Sequence, residues 1–460
     1  KNTVVGRAAF YANTTGSFNV AIGHDSLAQN TTASNNVAIG YSALTANTTG
    51  TENSALGRDA LLANTTGNKN VAIGHLAMRT TTTGYDNVGI GVGALHNNTT
   101  GYKNIGIGKS ALAANTTAES NTAIGWEALT STTTSPNNVG IGKNSLLTMT
   151  GGSGMNTAVG VGSLQLLTTG ASNVAVGFEA EKAITTGSNN TGLGYRALYA
   201  NTTGDSNVAS GRDSLKANTT GAENVAIGHE AFQANTTAST GVAIGKSALK
   251  ANTTGANNVA IGYLALTTNT TGASNVALGR NSLELLTTGS SNTASGKASL
   301  TAATTGDCNV AMGTNAAMGV TTGDNNIVLG CNAGRASSPS GNITTEDNRI
   351  CLGNNDITHA SIKVDWTVTS DVRDKMNFDE VPHGLSFVND LQPVKFDFKK
   401  SRDNATPHGK TKYGFKAQDI LALEGDNPII INNENEDTLS ITNSHLIPVL
   451  VKAIQELSTK

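Results

Sequence analysis

The sequence predicts a mainly β protein: a parallel β-solenoid shaft of the β-roll type, followed by a small α/β domain that ends in a helix. Three observations carry that expectation. Glycines recur at a fixed step of 17, from Gly23, Gly40 and Gly57 through to Gly313 and Gly330, with one step of 18 between Gly142 and Gly160. Gly6 and Gly353 extend the series at both ends, and a repeat this regular is the signature of a stacked array. Aromatic residues make up only 4% of the chain, too little bulk for one thick core but enough for a thin coil. Past about residue 357 the composition changes, with five of the seven prolines and five of the nine phenylalanines in the last hundred residues.

Each repeat reads N-V-A-I-G-x-x-A-L-x-x-N-T-T-G-x-x. Val20 and Ile22 alternate with Ala21, the period-2 pattern of a strand. Gly23 and the Asn30-Thr31-Thr32 group supply turns, since Gly and Asn reach left-handed backbone angles cheaply. Leu27, Leu44 and Leu61, four residues after each glycine, give the coil a second apolar side chain. Seventeen residues are too few for a helix pair and suit a coil of two short strands and two turns. Twenty-one coils stacked at ~4.8 Å make a shaft on the order of 100 Å long. Equal positions then stack into ladders, in which Asn and Thr can satisfy one another.

Two positions stand out. The residue between the strand apolars stays small, as in Ala21, Ala38, Gly89, Gly140 and Ala226. Such smallness implies a close backbone, either the far wall of the coil or a neighbouring chain, and the neighbouring chain is the expectation. The residue after each glycine varies widely (His24, Tyr41, Arg58, Trp126, Lys143, Tyr263). That variety implies exposure, and its aromatic and cationic members suit either a solvated stripe or contact with a surface polymer. His24, His75 and His229 lie too far apart for ligation within one coil. The repeat-locked N-T-T triplets match a glycosylation sequon but read as turn residues.

Several classes are disfavoured. A formal net charge of −3 gives no electrostatic case for nucleic acid or an anionic membrane. No stretch approaches the ~18 apolar residues of a membrane span, and no signal-like segment opens the sequence. Cys308, Cys331 and Cys351 form neither an even framework nor a metal-ligand spacing, so they read as reduced packing residues. No cofactor and no metal are expected.

The repeats occupy residues 1–335, an irregular last coil 336–356, and the C-terminal domain 357–460. That domain closes on Leu446, Ile447, Leu450, Ala453, Ile454 and Leu457 at helical spacing, a seam for self-association. Ser444 is the expected cap, with Pro448 in the first turn. The stretch "TSDVRDKMNF" sets Ser370 five residues before Lys375. A serine hydroxyl needs a base to attack a carbonyl, and lysine serves once burial or neighbours favour its neutral form. Spacing alone makes this pair weak.

The N-V-A-I-G repeats resemble the head repeats of YadA-like trimeric adhesins, left-handed parallel β-rolls packed three abreast, though with a repeat shorter than 17. The C-terminal hundred residues carry a more specific likeness. S-D-x-R-x-K-x-x-F from Ser370, then "LQPVKFDFK", "YGFKAQDI" and the terminal helix, in that order, resemble the endosialidase-type intramolecular chaperone of phage tail fibres and tailspikes. The resemblance implies a domain that trimerises the chain, nucleates the shaft and then cuts itself off. It implies that Ser370 is the catalytic serine, that Lys375 is its base, and that the scissile bond is Ser370–Asp371. Asp371 and Arg373 match the flanking motif as structural supports, and Phe378 departs from the family's usual aliphatic residue.

The expected protein is therefore a homotrimeric fibre of a virion tail or appendage, assembled in the host cytoplasm. Its partners would be a host cell-surface receptor or polysaccharide and upstream virion proteins, with no nucleic acid and no membrane insertion. Its one enzymatic act would be a single-turnover serine auto-endopeptidase cut, the shaft itself not being enzymatic. A bacterial trimeric surface adhesin would instead need a C-terminal barrel of amphipathic strands. A polysaccharide-degrading tailspike would need paired carboxylates some 5–9 Å apart; Glu179 and Glu181 are the nearest candidates, and surface solvation is the simpler account of them.

Overall fold

The computed structural model describes residues 1–361, 363, 369–401, 404–433 and 439–459. Twenty-one strands of three residues, β1 (Thr3–Val5) to β21 (Ile350–Leu352), form one parallel sheet along the axis. Each strand pairs with the same positions one coil on, as Val20 with Val37 and Ile22 with Ile39. The register step is 18 only between β9 (Val139–Ile141) and β10 (Thr157–Val159). It grows to 23 between β20 (Ile327–Leu329) and β21, where Ile327 pairs with Ile350 across the enlarged coil around Pro339. Each coil contains one strand, not the two expected; turns and bends complete it, because the chain reverses by left-handed residues instead of a second strand.

Those residues recur. Asp25, Leu27 and Asn35 all have positive φ, as do their counterparts in later coils. The repeat glycine is required by contact as well as by conformation. Gly23 has φ 132°, and a Cβ there would lie 2.4 Å from the Gly40 carbonyl oxygen of the next coil. No side chain fits between stacked turns at that point, which accounts for the fixed step.

The core is thin and repetitive. Ala21, Leu27, Ala38, Ala43 and Leu44 are fully buried and belong to one continuous cluster. The small mid-strand residue therefore faces the chain's own interior, not a neighbouring chain. Leucine presses on it from the adjacent coil: a Cβ at Gly106 would lie 3.2 Å from Leu95 Cγ. Val and Ile of the same strands point outward, with Ile22 and Leu56 exposed. The period-2 alternation is that of a strand, as expected, but the larger residues face out and the smaller ones in.

Two asparagine ladders bind the coils. Asn36 accepts the backbone N–H of Asn53 at 3.0 Å through Oδ1 and donates through Nδ2 to the Gly50 carbonyl at 3.0 Å. Asn47 donates to Asn30 Oδ1 and to the Gly50 carbonyl, both at 3.0 Å. Thr48 Oγ1 donates to the Thr65 carbonyl at 3.1 Å. Asn30 and Asn47 of the N-T-T triplets are fully buried, so they are structural ladder residues with no amide exposed for a glycan.

The C-terminal domain has its own small core of Phe387, Leu391, Ile420, Ile430, Ile431, Leu446 and Val449. It comprises α1 (Leu385–Asp390), an antiparallel hairpin of β22 (Val394–Ser401) and β23 (Asn404–Gly414), and α2 (Ala417–Glu424). The short pair β24 (Ile431–Asn432) and β25 (Ser440–Ile441) and then α3 (Leu446–Ser458) complete it. Glu456 of α3 accepts the Leu385 N–H at 2.7 Å, tying α3 to the start of α1. Glu424 accepts the N–H groups of Ile429, Ile430 and Ile431 at 2.7–2.9 Å. Ser444 is not the helix cap: it lies in a 3-10 turn over Asn443–His445, His445 stands at the cap position, and no side chain caps α3. Pro448 does fall in the first turn of α3.

Candidate functional site

Ser370 and Lys375 meet across one short turn. Val372–Asp374 form a single 3-10 turn that Asp371 caps, its Oδ1 accepting the Arg373 N–H at 2.9 Å. The turn folds the chain back so that Lys375 Nζ donates to Ser370 Oγ at 2.6 Å. The pairing that spacing left weak is therefore a direct contact. Arg373 Nε lies 3.0 and 3.1 Å from the two Asp371 oxygens. The Arg373 guanidinium holds the Asp371 carboxyl below the usual carboxylate range, and Asp371 raises Arg373 in return. Asp371 and Arg373 thus brace the turn between the two candidate catalytic groups.

The contact has a direction. The amine donates and the hydroxyl accepts, whereas a base must accept the hydroxyl proton. Ser370 and Lys375 are also both exposed in the single chain, while a lysine base is made by desolvation or by nearby cations. Val372, Met376 and Phe378 around the turn are exposed as well, Met376 by 80%. The geometry is that of a candidate nucleophile and a candidate base in contact but still open to water.

The remaining candidates separate. Glu179 lies outside the shaft, 2.7 Å from Lys182 Nζ and 2.9 Å from Arg196 Nε, and the Lys182 hydrogen bond is the main reason its carboxyl titrates low. Glu181 lies inside, fully buried, with neither oxygen in a hydrogen bond of good geometry. Burial pushes its carboxyl up to about 8, which a weak contact with the Gly192 backbone only partly offsets. These two carboxylates share no cleft, so they are not the pair a glycosidase needs. The variable stripe is exposed as expected: Tyr41 stacks on His24 at 5.3 Å, and Lys109 and Lys143 flank the Trp126 ring at 5.5 and 4.7 Å. Among the described residues no cluster of His, Cys, Asp or Glu could hold a metal, and no helix is long and apolar enough to cross a membrane. Cys351 is buried and accepts from the Gly334 N–H at 3.2 Å, but Cys308 and Cys331 are exposed, so packing accounts for only one of the three.

The helix seam divides in two. Leu446 and Ala453 are buried with Val449 against the rest of the domain, whereas Ile447, Leu450, Val451, Ile454 and Leu457 are 43–66% exposed. Sequence spacing missed Val451, because the exposed stripe is rotated from the one that seats the helix.

The structure thus joins a repetitive β-shaft to a small C-terminal domain at whose start Ser370 and Lys375 are in contact. The family model described as chaperone of endosialidase matches residues 370–426, beginning at Ser370 itself. The match supports a tail-fibre or tailspike type of protein with a C-terminal intramolecular chaperone. No curated protein and no solved structure matches the chain.

Proposed function

We propose that the chain is the subunit of a homotrimeric virion fibre, whose C-terminal domain aligns three chains, starts the shaft and then releases itself at Ser370–Asp371. The observation that carries this reading is the apolar exterior of the C-terminal domain. Ile447, Leu450, Ile454 and Leu457 run along one side of α3, and Val372, Met376 and Phe378 lie within three residues of the dyad in sequence, all exposed in the single chain. A domain of about a hundred residues leaves such surface bare only where a partner covers it. Covering it would also desolvate Lys375 and favour the neutral amine that can take a proton. Cleavage would then wait for assembly. The fibre's outer end and its variable aromatic and cationic stripe would meet a host-surface receptor or polysaccharide.

The chemistry constrains which bond is attacked. Ser370 Oγ cannot attack its own carbonyl carbon without closing a four-membered ring, so the Ser370–Asp371 bond it cuts belongs to a neighbouring copy. Lys375 takes the hydroxyl proton as Oγ bonds to that carbonyl carbon. The C–N bond then breaks, the proton passes to the Asp371 nitrogen, and water hydrolyses the resulting ester. The test is to co-express tagged Ser370→Ala chains with the unaltered chain. Alone, the variant should assemble uncut; in mixed oligomers it should be cut between position 370 and Asp371 by the unaltered chains. Cleavage of the variant alone would mean that an outside protease acts.

A further inference from the structure

We propose that the outward face of the shaft's parallel sheet is the surface on which copies of this chain pack against one another, in register and along its whole length. This rests on the fibre reading above, and it assigns a different face from the small-residue ladder, which is buried inside each coil. Each strand turns its first and third residues outward, and none of these is charged on any of the 21 strands. They are Val, Ile, Leu or Met, with Ser or Thr at the remainder. Typical members are Ile227, 41% exposed, and Ile261, 40% exposed.

The side of the rod beside the asparagine ladder is built differently. The residue before each ladder asparagine is Glu52, then Lys69, Asp86 and Lys103 in successive coils, all exposed. Charge is therefore admitted at that side of the rod and excluded from the sheet face. The exposed threonine row of the N-T-T triplets, such as Thr254 and Thr271, is also free of charge but is hydroxylated, so the sheet face is set apart by being aliphatic as well as uncharged. Parallel sheets are ordinarily covered on both sides, and here only the inner side is covered by the chain's own leucines. The aliphatic stripe adds up to on the order of 1,000 Å² or more, beyond the ~300–600 Å² of the largest patch on an ordinary monomer. It matches or exceeds the ~800 Å² that each partner contributes to a standard interface.

The occupant follows from repeat and chemistry. The face offers one aliphatic ridge per coil at ~4.8 Å, so whatever covers it throughout must repeat at the same rise over the same length. A second copy of the chain, held parallel, does so by construction. A saccharide would find no charged group and few hydroxyls to bond on this face. Packing copies here leaves the charged positions, such as Glu52 and Lys69, toward solvent.

The experiment places single cysteines in the full chain after Cys308→Ser and Cys331→Ser remove the exposed thiols. Ile261→Cys lies on the proposed interface, and Thr254→Cys, exposed on another side of the same coil, is the control. In the assembled oligomer, Ile261→Cys should be protected from alkylation and, on mild oxidation, should give disulfide-linked chain pairs on a non-reducing gel. Thr254→Cys should be alkylated freely and stay unlinked. Ile261→Lys should lower the yield of oligomer while Thr254→Lys leaves it unchanged. Should Ile261→Lys chains fail to fold, the cysteine pair still decides. An oligomer in which Ile261→Cys is freely alkylated and Thr254→Cys is protected overturns the face assignment and leaves the fibre reading standing. A wild-type chain that sediments as a monomer overturns the fibre reading itself, and this proposal with it.

Discussion

Glu181 shows what a single position in a repeat can hide. It lies four residues after Gly177, where Leu27 follows Gly23, so it occupies the buried leucine position of its coil. Read as an isolated acid it looked solvated; read by its place in the repeat it belongs to the core, and that signal was available in the sequence. With the folded carboxyl raised to about 8 and an unfolded value near 4.3, its contribution is fully present below about pH 4.3. It is lost progressively as pH rises to about 8, leaving a penalty at pH 7 on the order of 3 kcal/mol. Glu181→Leu should therefore stabilise the shaft at neutral pH and flatten the pH dependence between those limits. Denaturant unfolding of both proteins at pH 5 and pH 8 measures this; an equal gain at both pH values would contradict it.

At the scale of the element, strand, glycine turn and asparagine ladder were legible because each recurs with the 17-residue step. The strand's inward face was not, since alternation defines two faces without saying which is covered. Only the packing of Leu95 against Gly106 and its equivalents decides that. The exposed stripe on α3 was half legible for a similar reason, because Leu446 and Ala453 also fit the helical spacing but seat the helix on its own domain. The ladders also have flaws. Thr81 replaces an asparagine and leaves Asn64 Oδ1 and its own Oγ1 buried without partners. Thr81→Asn should restore the row, donating to Asn64 Oδ1 and accepting from Asn98 Nδ2. A gain of ~1 kcal/mol per restored bond is expected, read as a raised denaturant midpoint with an unchanged slope. A lower midpoint would mean that the coil has relaxed around threonine and no longer has room for the amide.

The whole molecule couples a shaft with little register information to a domain that can supply it. Near-identical coils slipped by 17 residues lose few contacts, and parallel pairing over long sequence separations nucleates slowly. The solenoid was fully legible in the glycine series. The Ser370–Lys375 contact was legible only through its wider motif, because two residues five apart seldom meet. The packing face was least legible: the sequence pointed to the alanines, which are buried inside the coil, and the face proposed in their place is the outward aliphatics. Native mass spectrometry of the purified wild-type protein tests the central claim most directly, because one spectrum reports both stoichiometry and cleavage. The account predicts an oligomer of three shaft chains, each ending at Ser370 and lighter than the intact 46.8 kDa chain, together with the released C-terminal piece. A monomer of 46.8 kDa would contradict it.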